Sequence, residues 1–351
     1  MRTVSILIPK IRVQTVSNDT GGCFKYRLQE PVKAVEASDR EFIFSHVPQL
    51  NMDMASRYDI VIFQRPLSRV VADSISYLQN KGVKVIVDID DDFEAVHRKN
   101  TAFANIQPRN NPDFNWEWLI LACKRADLVT TSTEYLASKY KSNTGGSIVL
   151  PNFLPNDILS VNGTQHRGRV RIGWTGRVMT HPNDLPMVGS SVKKAVKKLG
   201  ADFVIVGDGL GVPEQVKLEK HEVHVTGNVP IDRYYKTVAD NIDIGIAPLE
   251  PSEFNQAKSN LKMLEYSGLG IPSIGSPTAE NILLNEDGIG IIAHTQAEWS
   301  RAFSLLISNE RKREQLGQEA RRIIKDKYTL NKNAYMWADT WKSLVGRGLT
   351  I

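Results

Sequence analysis

Residues 258–276 read KSNLKMLEYSGLGIPSIGS, a stretch in which a helical pattern runs directly into a strand pattern. At about 100° per residue, Leu261, Leu264 and Gly268 form the apolar stripe of a short helix. The residues IPSIGS that follow, at 271–276, form a short run with two isoleucines, which is typical of a buried strand. A helix followed at once by a buried strand is the repeating unit of an α/β fold with a parallel sheet.

Charged residues lie on the packing edge of this same helix. Glu265 falls about 40° from Leu261 around the helix axis, and Lys258 and Lys262 fall in the same sector. Charges on a packing edge need a partner. The pattern leaves two possibilities open, a ligand that binds at the start of the helix or an internal ion pair between Lys262 and Glu265 at i,i+3 spacing.

The alternation of strands and helices extends over both halves of the chain. Runs rich in valine and isoleucine predict strands in the first half at 4–9, 41–46, 59–64, 83–88, 127–132 and 147–151. They predict strands in the second half at 170–175, 202–207, 222–227, 243–248, 271–276 and 289–294. Strands this apolar are covered on both faces, as in parallel sheets. We therefore predict an α/β protein with two Rossmann-like, doubly wound domains.

The length of the chain agrees with two domains, because 351 residues exceed the usual size of a single hydrophobic core. The strand pattern predicts a first domain at 1–155 and a second at 170–328. The stretch 156–169 is polar and shows no periodicity, so it is interpreted as a linker. The final segment, 329–351, is rich in aromatic residues and is predicted to contain a helix that packs back at the domain junction.

Composition limits the class of protein and its location. The chain is 41% hydrophobic and 24% charged, as ordinary globular proteins are. No apolar run approaches the roughly 20 residues that span a bilayer. The opening MRTVSILIPK lacks a small-residue cleavage site and is interpreted as a first buried strand. Two cysteines far apart in sequence, Cys23 and Cys123, favour a reduced, cytoplasmic setting.

The chain is weakly basic, with a net charge of +5. This excess does not by itself indicate a nucleic-acid-binding protein. The densest basic stretch, at 190–200, places Lys193, Lys194, Lys197 and Lys198 on one face of a predicted helix. That face is either solvated or in contact with an anionic acceptor or an anionic membrane surface, which would put the protein at the inner face of the membrane.

Ligands of doubly wound sheets bind at the carboxyl ends of the strands, so the residues after each strand are informative. In the first half, NDTGGCFKYR (18–27) follows the first predicted strand and DIDDD (88–92) ends the fourth. In the second half, TGR (175–177), GDG (207–209) and GNV (227–229) end or follow the first three strands. Glycines and charges are thus concentrated where a ligand site between two domains is expected.

Five segments of the second half occur in a characteristic order and spacing. They are IGWTGR (172–177), FVIVGDG (203–209), VTGNVP (225–230), DIGIAPL (243–249) and KSNLKMLEYSGLGIPSIGS (258–276). Together they resemble the retaining glycosyltransferases of family four, which have the GT-B fold, and the first half resembles bacterial and phage members more loosely. The resemblance implies two Rossmann-like domains that face each other across a cleft, with the nucleotide-sugar donor on the second domain and the acceptor on the first.

The resemblance also implies roles for residues of the second half. Glu265 matches the glutamate that holds the ribose diol, and Arg177 matches the arginine that binds the diphosphate. Lys262 is the candidate for a second phosphate-binding cation. Ser259 or Asn260 is expected to cap the helix, whose backbone N–H groups would face the pyrophosphate. The other donor-side candidates, several of them acting through main-chain atoms, are Thr175, Gly176, Gly207, Asp208, Gly209, Asn228, Val229, Lys258 and Leu261.

In the first half, the resemblance places the loop with Gly21 and Gly22 over the donor, where glycine lets the backbone approach a diphosphate closely. The alternative is a simple glycine-rich turn. Tyr26 and Arg27 lie on the helix that follows, and Arg27 is predicted to be near the acceptor. His97 is a further acceptor-side candidate, although a lone histidine is more often structural or solvated.

The chain departs from the family pattern at one position. The paired-glutamate signature E-x7-E would place its first glutamate at 257, where this sequence has Ala257. That glutamate lies near the sugar ring in many relatives, so its absence leaves the identity of the donor sugar open. Lys258 is expected to substitute in part by contacting the diphosphate or a sugar hydroxyl, and K258A should then weaken donor binding in calorimetry.

The segment DIDDD (88–92) admits three interpretations. Asp88 and Asp90 have the DxD spacing of a metal site for Mg²⁺ or Mn²⁺. Alternatively, Asp90 or Asp91 holds sugar hydroxyls, as the loop after this strand approaches the donor sugar and acceptor in relatives, or the segment is a structural turn. We favour the version without a metal cofactor, in which cationic side chains stabilise the departing diphosphate.

The sequence therefore predicts a metal-independent, retaining glycosyltransferase that moves a sugar from a UDP- or GDP-type donor to an acceptor hydroxyl. Arg177, Lys262, Asp90 and Asp91 are its candidate catalytic residues. The acceptor is a saccharide, lipid, protein or modified DNA base, and the protein is a monomer or homodimer. Two alternatives stay open, an enzyme that glucosylates hydroxymethylated bases in DNA and a non-catalytic protein that binds sugar nucleotides.

Overall fold

The computed structural model describes residues 9–106, 111, 113–164 and 168–347. The chain forms two compact units. The first comprises Met1–Asp91, Ile106–Pro151 and Leu330–Ile351, and the second comprises Asp92–Asn105 and Asn152–Thr329. The segment 92–105 therefore belongs to the second unit, although it directly follows a strand of the first.

The first unit contains a six-stranded sheet whose described pairings are all parallel. Its strands are β1 (Ile11–Val16), β2 (Phe42–Val47), β3 (Ile60–Gln64), β4 (Lys84–Ile89), β5 (Leu128–Thr131) and β6 (Ser147–Val149). They lie in the order β2-β1-β3-β4-β5-β6. The winding direction therefore reverses between β1 and β3, and the carboxyl ends of these two strands form the switch point at which such sheets bind ligands.

The first strand differs from the sequence-based prediction. The strand predicted at 4–9 lies, apart from Pro9, outside the described residues, and the first strand of the structure is β1. Its sequence IRVQTV alternates apolar and polar residues, which hides it from a search for continuous apolar runs. Gln14 and Thr15 are nevertheless buried, because the strand lies between β2 and β3 in the sheet.

Helices of this unit connect the strands. They are α1 (Gly22–Phe24), α2 (Glu30–Ser38), α3 (Met52–Ala55), α4 (Arg69–Asn80), α6 (Asn115–Arg125) and α7 (Glu134–Lys139), while α5 (Phe103–Ile106) spans the sequence boundary between the units. A π-helical turn, Lys25–Gln29, joins α1 to α2. The helix α4 begins where the hydroxyl of Ser68 accepts the N–H of Val71 at 3.4 Å, and it buries Ala72, Ile75 and Leu78.

The second unit contains a second six-stranded parallel sheet. Its strands are β7 (Arg171–Arg177), β8 (Asp202–Asp208), β9 (Val223–Val225), β10 (Ile244–Ala247), β11 (Ser273–Gly275) and β12 (Ile291–Ile292). From one edge the order is β9-β8-β7-β10-β11-β12, which is the strand order of dinucleotide-binding domains. The switch point of this sheet lies between β7 and β10.

The helices of the second unit cover both faces of its sheet. They are α8 (Gly189–Leu199), α9 (Val212–Val216), α10 (Tyr234–Asn241), α11 (Glu253–Gln256), α12 (Leu261–Gly268), α13 (Ala279–Glu286), α14 (Gln296–Ser308) and α15 (Glu310–Lys327). Short 3₁₀ turns lie at Val178–Thr180, Leu185–Met187 and Lys220–Glu222. Trp174, Phe203, Trp299 and Phe303 are among the largest side chains of the core. In the part of the chain that the structure describes, no helix combines the length and the apolarity needed to span a membrane.

The stretch 156–169, interpreted as a linker, begins with folded structure. Asn156–Ser160 is a 3₁₀ helix whose Ile158 is fully buried. The guanidinium of Arg321 donates to the main-chain oxygens of Leu159 and Val161 at 2.7 and 3.2 Å. A single buried isoleucine is too short a pattern to show periodicity, which is why the sequence suggested a loop. Residues 165–167 lie outside the described residues.

The C-terminal helices α16 (Leu330–Asn333) and α17 (Tyr335–Leu344) are part of the first unit. The ring of Trp341 lies 5.8 Å from that of Phe42 and 5.5 Å from that of Phe44, at the β2 edge of the sheet. The ammonium of Lys342 pairs with Asp39 at 2.6 Å and with Glu41 at 2.9 Å. The chain therefore returns to its first unit after building the second.

Candidate active site

The loops after β7 and β10 meet at the switch point of the second sheet. Asp184, in the loop after β7, accepts hydrogen bonds from the backbone N–H of Glu250 at 2.9 Å and from the side-chain amide of Asn255 at 2.8 Å. Both donors belong to the loop and short helix after β10. Because Asp184 is buried, these two bonds fix one loop against the other.

Asp184 also orients a histidine. The Nδ1 atom of His181 lies 2.9 Å from Asp184 Oδ2, and the imidazole stands edge-on to the indole of Trp174, with ring centroids 6.1 Å apart. Burial, and next the charge of Lys262, lower the pKa of His181 to about 4, and Lys258 acts in the same direction. Although burial opposes it, the hydrogen bond with His181 lowers the pKa of Asp184. At neutral pH the pair is thus an aspartate and a neutral imidazole.

Basic side chains surround this pair. Lys258 and Lys262 are half-buried at the start of α12. The ammonium of Lys262 lies 5.9 Å from the centre of the Trp174 ring, and that of Lys258 lies 4.3 Å from the centre of the Phe254 ring. Arg177 is exposed at the end of β7, and its guanidinium forms no hydrogen bond or ion pair with another described residue. Three cationic side chains therefore lie at the switch point, near the buried carboxylates of Asp184 and Glu265.

Glu265 lies on the buried side of α12, as its helical position indicated. The hydroxyl of Tyr234, at the start of α10, donates to Glu265 Oε2 at 2.9 Å. Burial and the Glu265 carboxylate raise the pKa of Tyr234 well above its usual value, so the phenol keeps its proton and donates. Tyr234 was not a candidate from sequence, because its proximity to Glu265 arises only when α10 and α12 fold onto the same sheet.

One donor-side candidate is directed to the interior. The hydroxyl of Thr175 is buried and lies 3.4 Å from the hydroxyl of Tyr266, which also approaches the main-chain oxygen of Gly173 at 3.5 Å. This hydroxyl contributes to the packing of α12 against β7, and a role for Thr175 in the donor site stays a prediction.

The start of α12 differs from the predicted capping. Asn260 occupies the N-cap position, but its side chain accepts no hydrogen bond from the helix. Its amide instead donates to the main-chain oxygen of Glu280 at 3.1 Å, and the hydroxyl of Ser259 lies 2.8 Å from the amide of Asn152. Neither side chain covers the first turn of the helix, which begins at the half-buried Leu261.

The glycines at the carboxyl ends of β7 and β8 are required by packing within the second unit. A Cβ atom at Gly207 would lie 2.2 Å from the main-chain oxygen of Gly176, and one at Gly209 would lie 2.4 Å from Val225. Gly176 and Gly207 also have positive φ angles, of 145° and 139°. Their presence in the sequence is therefore explained by close strand packing and is not a separate signal of a ligand.

The loops on either side of these glycines are exposed. The carboxylate of Asp208 accepts the N–H of Leu210 at 3.0 Å, which shapes the turn after β8. Gly227 forms a bridge with Gly207, and Asn228 and Val229 follow it in an open loop. Asp208, Asn228 and Val229 therefore lie beyond the carboxyl ends of β8 and β9, on the side of the sheet where the other candidates lie.

In the first unit, Gly21 and Gly22 follow β1 at the switch point of that sheet. The N–H of Gly21 donates to the carboxylate of Asp19 at 2.7 Å, which closes a tight turn. Gly22 is exposed, has no positive φ, and would accommodate a Cβ atom with no described atom within 4 Å. The fold therefore gives a local reason for the turn at Gly21 but no steric reason for glycine at 22.

Tyr26 and Arg27 do not lie where an acceptor could reach them. Both are buried, and the exposure of Arg27 is 1%. The Arg27 guanidinium forms a bidentate pair with Asp88, at 3.0 and 2.8 Å, and donates to the main-chain oxygen of Leu150 at 2.5 Å. The prediction that Arg27 lies near the acceptor is wrong, because this side chain joins the helix after β1 to the end of β4.

A second arginine forms ion pairs with Asp90 and Asp91. Arg65, which follows β3, pairs with Asp90 through Nε and with Asp91 at 3.2 Å, and its Nη2 lies 3.0 Å from the thiol of Cys23. Arg65 has the left-handed backbone angle φ = 48°, a strained conformation for this residue. Arg65 could not be identified as a partner from the sequence, since 25 residues separate it from Asp90.

The arginines bear on the metal interpretation of DIDDD. The carboxylate of Asp88 forms an ion pair with Arg27, and those of Asp90 and Asp91 form ion pairs with Arg65. Burial raises the pKa of Asp90, partly opposed by the charge of Arg65. Among the described residues, no group of three or more histidine, cysteine and carboxylate side chains is placed to hold a metal ion. Asp88, Asp90 and Asp91 thus form ion pairs within the first unit, whereas Asp92 belongs to the second unit.

His97 lies in the segment 92–105, which belongs to the second unit. It is exposed, and its Nδ1 accepts the N–H of Lys99 at 3.0 Å. The same segment is attached beside Arg177, since the amide of Asn100 donates to the main-chain oxygen of Thr180 at 3.0 Å. An acceptor-side role for His97 stays a prediction.

Comparisons with known proteins agree with this architecture. Residues 190–339 match a family model described as glycosyl transferase-like. HepE from Anabaena, in complex with UDP-glucose, matches with a TM-score of 0.65 and 12% identity over 95% of this chain and 100% of its own. The comparisons support a glycosyltransferase. No curated protein matches the chain by sequence.

Two further solved structures have the same fold. Sucrose-phosphate synthase from Thermosynechococcus elongatus matches with a TM-score of 0.66 and 10% identity, over 96% of this chain and 100% of its own. A glycosyltransferase from Rickettsia africae matches with a TM-score of 0.61 and 15% identity, over 96% of this chain and 99% of its own. At these identities the similarity establishes the fold. The predicted GT-B architecture of two α/β units with parallel sheets is confirmed.

Proposed function

We propose that the protein is a retaining glycosyltransferase of the family-four type, which takes a sugar from a nucleoside diphosphate sugar and transfers it to an acceptor hydroxyl without a metal ion. One observation carries the proposal. Arg177, Lys258 and Lys262 lie at the switch point of the second sheet, and the buried carboxylate of Glu265 lies one helical turn further along α12. Cations beside a buried carboxylate suit a ligand that carries both phosphates and a diol.

The cations are suited to the diphosphate. The charges of Lys258 and Lys262 are close enough to lower the pKa of His181, so they would also act on a phosphate bound beside it. In a partly buried site such charges are screened less than in water, so an anion gains more by binding there. Arg177 adds a planar, exposed guanidinium whose geometry matches two phosphate oxygens.

The carboxylate of Glu265 is suited to the ribose. One of its oxygens accepts the hydroxyl of Tyr234, and a carboxylate has acceptor sites for further donors. The two ribose hydroxyls point the same way and donate as a pair. Tyr234 fixes the orientation of the carboxylate, so the ribose would meet an acceptor that is already in position.

The chemistry follows from the charges. The bond between the anomeric carbon and the phosphate oxygen breaks while negative charge grows on the diphosphate, which Arg177 and Lys262 stabilise. The acceptor oxygen bonds to the anomeric carbon on the same face, and its proton passes to the departing phosphate oxygen. No enzyme nucleophile takes part. Asp90 and Asp91 receive no step in this scheme, because Arg65 holds both.

Substrate assays test the proposal directly. UDP-glucose, UDP-N-acetylglucosamine, GDP-mannose, ADP-glucose and dTDP-glucose are incubated with saccharide acceptors, and release of the nucleoside diphosphate is measured with and without EDTA. Uridine nucleotides come first, since HepE was crystallised with UDP-glucose. We expect release from one nucleotide class, unchanged in EDTA, and a product with the anomeric configuration of the donor.

Each outcome tests a separate part of the proposed function. If no nucleotide sugar binds or raises the melting temperature, the assignment of a donor site fails. Loss of release in EDTA would contradict the metal-independent mechanism, and an inverted product by NMR would contradict retention.

A further inference from the structure

The pair of His181 and Asp184 has no part in the chemistry above, although it lies at the switch point beside the phosphate-binding candidates. We call it the His–Asp pair. Asp184 accepts from His181, from the backbone of Glu250 and from the amide of Asn255 at 2.8–2.9 Å. A carboxylate with this many donors has a fixed position and stays ionised. Any change of protonation in the pair therefore occurs on His181.

The hydrogen bond with Asp184 determines the tautomer of His181. An ionised carboxylate only accepts, so the proton of the neutral imidazole is on Nδ1, and Nε2 has a lone pair. The His181 side chain is 15% exposed, so an edge of the ring reaches the surface of the unit. A phosphate oxygen is also an acceptor. It can meet Nε2 only if that nitrogen gains a proton.

The surroundings of His181 resist that proton until an anion arrives. Lys262 and Lys258 approach from the α12 side, Trp174 covers the ring from β7, and Asp184 is the one carboxylate that contacts it among the described residues. A diphosphate between the lysines would offset their field and add negative charge of its own. The same ring would then favour its cationic form.

We propose that His181, held by Asp184, is a further phosphate-binding group of the donor site and takes up one proton from solvent when the nucleoside diphosphate sugar binds. The inference rests on the proposed function, since it assigns a role within that donor site. In this step one solvent proton is added to Nε2 of His181, and no covalent bond of the donor is made or broken. Binding would thus convert the His–Asp pair into an imidazolium–aspartate pair that donates to the phosphate.

The proposal fixes the sign of the pH dependence. A ligand that binds with proton uptake binds more tightly as pH falls, between the pKa of His181 in the complex and its lower value in the free protein. We expect the affinity for the donor to rise by about tenfold per pH unit between pH 6.5 and pH 5. Both phosphates of a nucleotide sugar are esterified, so the ligand itself does not titrate in this range.

Calorimetry measures the proton directly. The nucleotide sugar that gives the largest thermal stabilisation among UDP-glucose, UDP-N-acetylglucosamine, GDP-mannose, ADP-glucose and dTDP-glucose is titrated at pH 6.5 in PIPES and in Bis-Tris, whose ionisation enthalpies differ. We expect uptake that approaches one proton in the wild type and none in H181N. The control H46N alters a histidine of the first unit whose pKa burial also lowers, and it should retain the wild-type uptake.

NMR provides a readout that does not depend on activity. The chain has seven histidines, and the H181N spectrum identifies the imidazole signal of His181 by its absence. We expect that signal to be neutral in the free protein at pH 6.5 and cationic in the complex. If H181N does not fold, H181Q replaces it, since its amide can reach the Nε2 position.

The outcomes separate this inference from the donor assignment. If the wild type binds none of the five nucleotide sugars, the donor site itself is refuted. If it binds one of them with equal enthalpy in both buffers and with His181 neutral in the complex, the proton-linked role of His181 is refuted and the donor site is retained.

Discussion

The two sheets end in opposite ways at their switch points. In the first unit the aspartates are held by two arginines, the buried Arg27 at Asp88 and the partly buried Arg65 at Asp90 and Asp91. In the second unit three cations, Arg177, Lys258 and Lys262, lie near the buried carboxylates of Asp184 and Glu265, and the nearest imidazole stays neutral. The carboxylates of the first cluster are therefore held by arginines of the protein, whereas the exposed guanidinium of Arg177 in the second unit is suited to an anion from outside. Charge density in a sequence does not distinguish these two cases, because the neutralising partner comes from another strand.

The largest effect should come from breaking the satisfied cluster. R27A removes one partner of a fully buried pair and leaves Asp88 charged and enclosed, so we expect the free energy of unfolding to fall by about 3–5 kcal/mol. R12A is the matched control, because the pair of Arg12 and Asp59 is largely exposed and should cost about 1 kcal/mol or less. Denaturant unfolding measures both. Equal losses in the two variants would contradict the contrast between buried and exposed pairs.

Breaking the cationic cluster should affect the reaction and spare the fold. K262A removes a charge that we propose stabilises the leaving diphosphate, and we expect the turnover number to fall by about 10²–10³. Its melting temperature should stay close to that of the wild type. K325A, on the exposed face of α15, is the control and should retain full turnover. If K262A matched K325A in steady-state kinetics, Lys262 would have no place in the donor site.

A neutral substitution at Glu265 sharpens the assignment of the ribose. E265Q keeps the shape of the side chain but weakens its acceptor strength, and we expect donor affinity to fall by roughly 10- to 100-fold, in line with hydrogen bonds to charged groups. E286Q changes an exposed glutamate of α13 and should leave affinity unchanged. Calorimetry with the preferred nucleotide sugar compares the two. Full affinity in E265Q would place the ribose elsewhere.

The neutral histidine predicts a pH dependence of stability. The pKa of His181 is about 4 in the folded protein and near its usual 6.5 when unfolded, so below pH 6.5 the unfolded chain binds more protons. Its contribution to stability is complete above pH 6.5 and is lost as pH falls toward 4. Between pH 7 and pH 5 this amounts to about 2 kcal/mol. Unfolding curves of H181Q should lack this part of the slope. Parallel pH profiles for wild type and H181Q would contradict it.

The fold could be predicted from sequence to a large extent, because continuous valine and isoleucine runs mark strands that are covered on both faces. The exception is instructive. The strand β1 alternates apolar residues with Arg12, Gln14 and Thr15, and only its central position in the sheet buries it. The 3₁₀ helix at Asn156–Ser160 was missed for a similar reason, since one buried isoleucine leaves no period to detect.

The site was predictable where a motif carried it and not where tertiary contacts did. Glu265 was found to lie on the buried side of α12, as its helical angle indicated. The role of Arg27 was not predicted, because its ion-pair partner, Asp88, lies 61 residues away in sequence. Tyr234 and Arg65 were missed altogether, since each meets its partner only through the packing of separate elements. Pairing across strands, rather than residue type, decided each of these roles.

The central claim is that a nucleoside diphosphate sugar binds at the start of α12, and a crystal structure of the complex tests it most directly. Crystals soaked with the most stabilising nucleotide sugar should show both ribose hydroxyls within hydrogen-bond distance of Glu265 and phosphate oxygens beside Arg177 and Lys262. A nucleotide bound elsewhere on the molecule, with Glu265 held only by groups of the protein, would contradict the account.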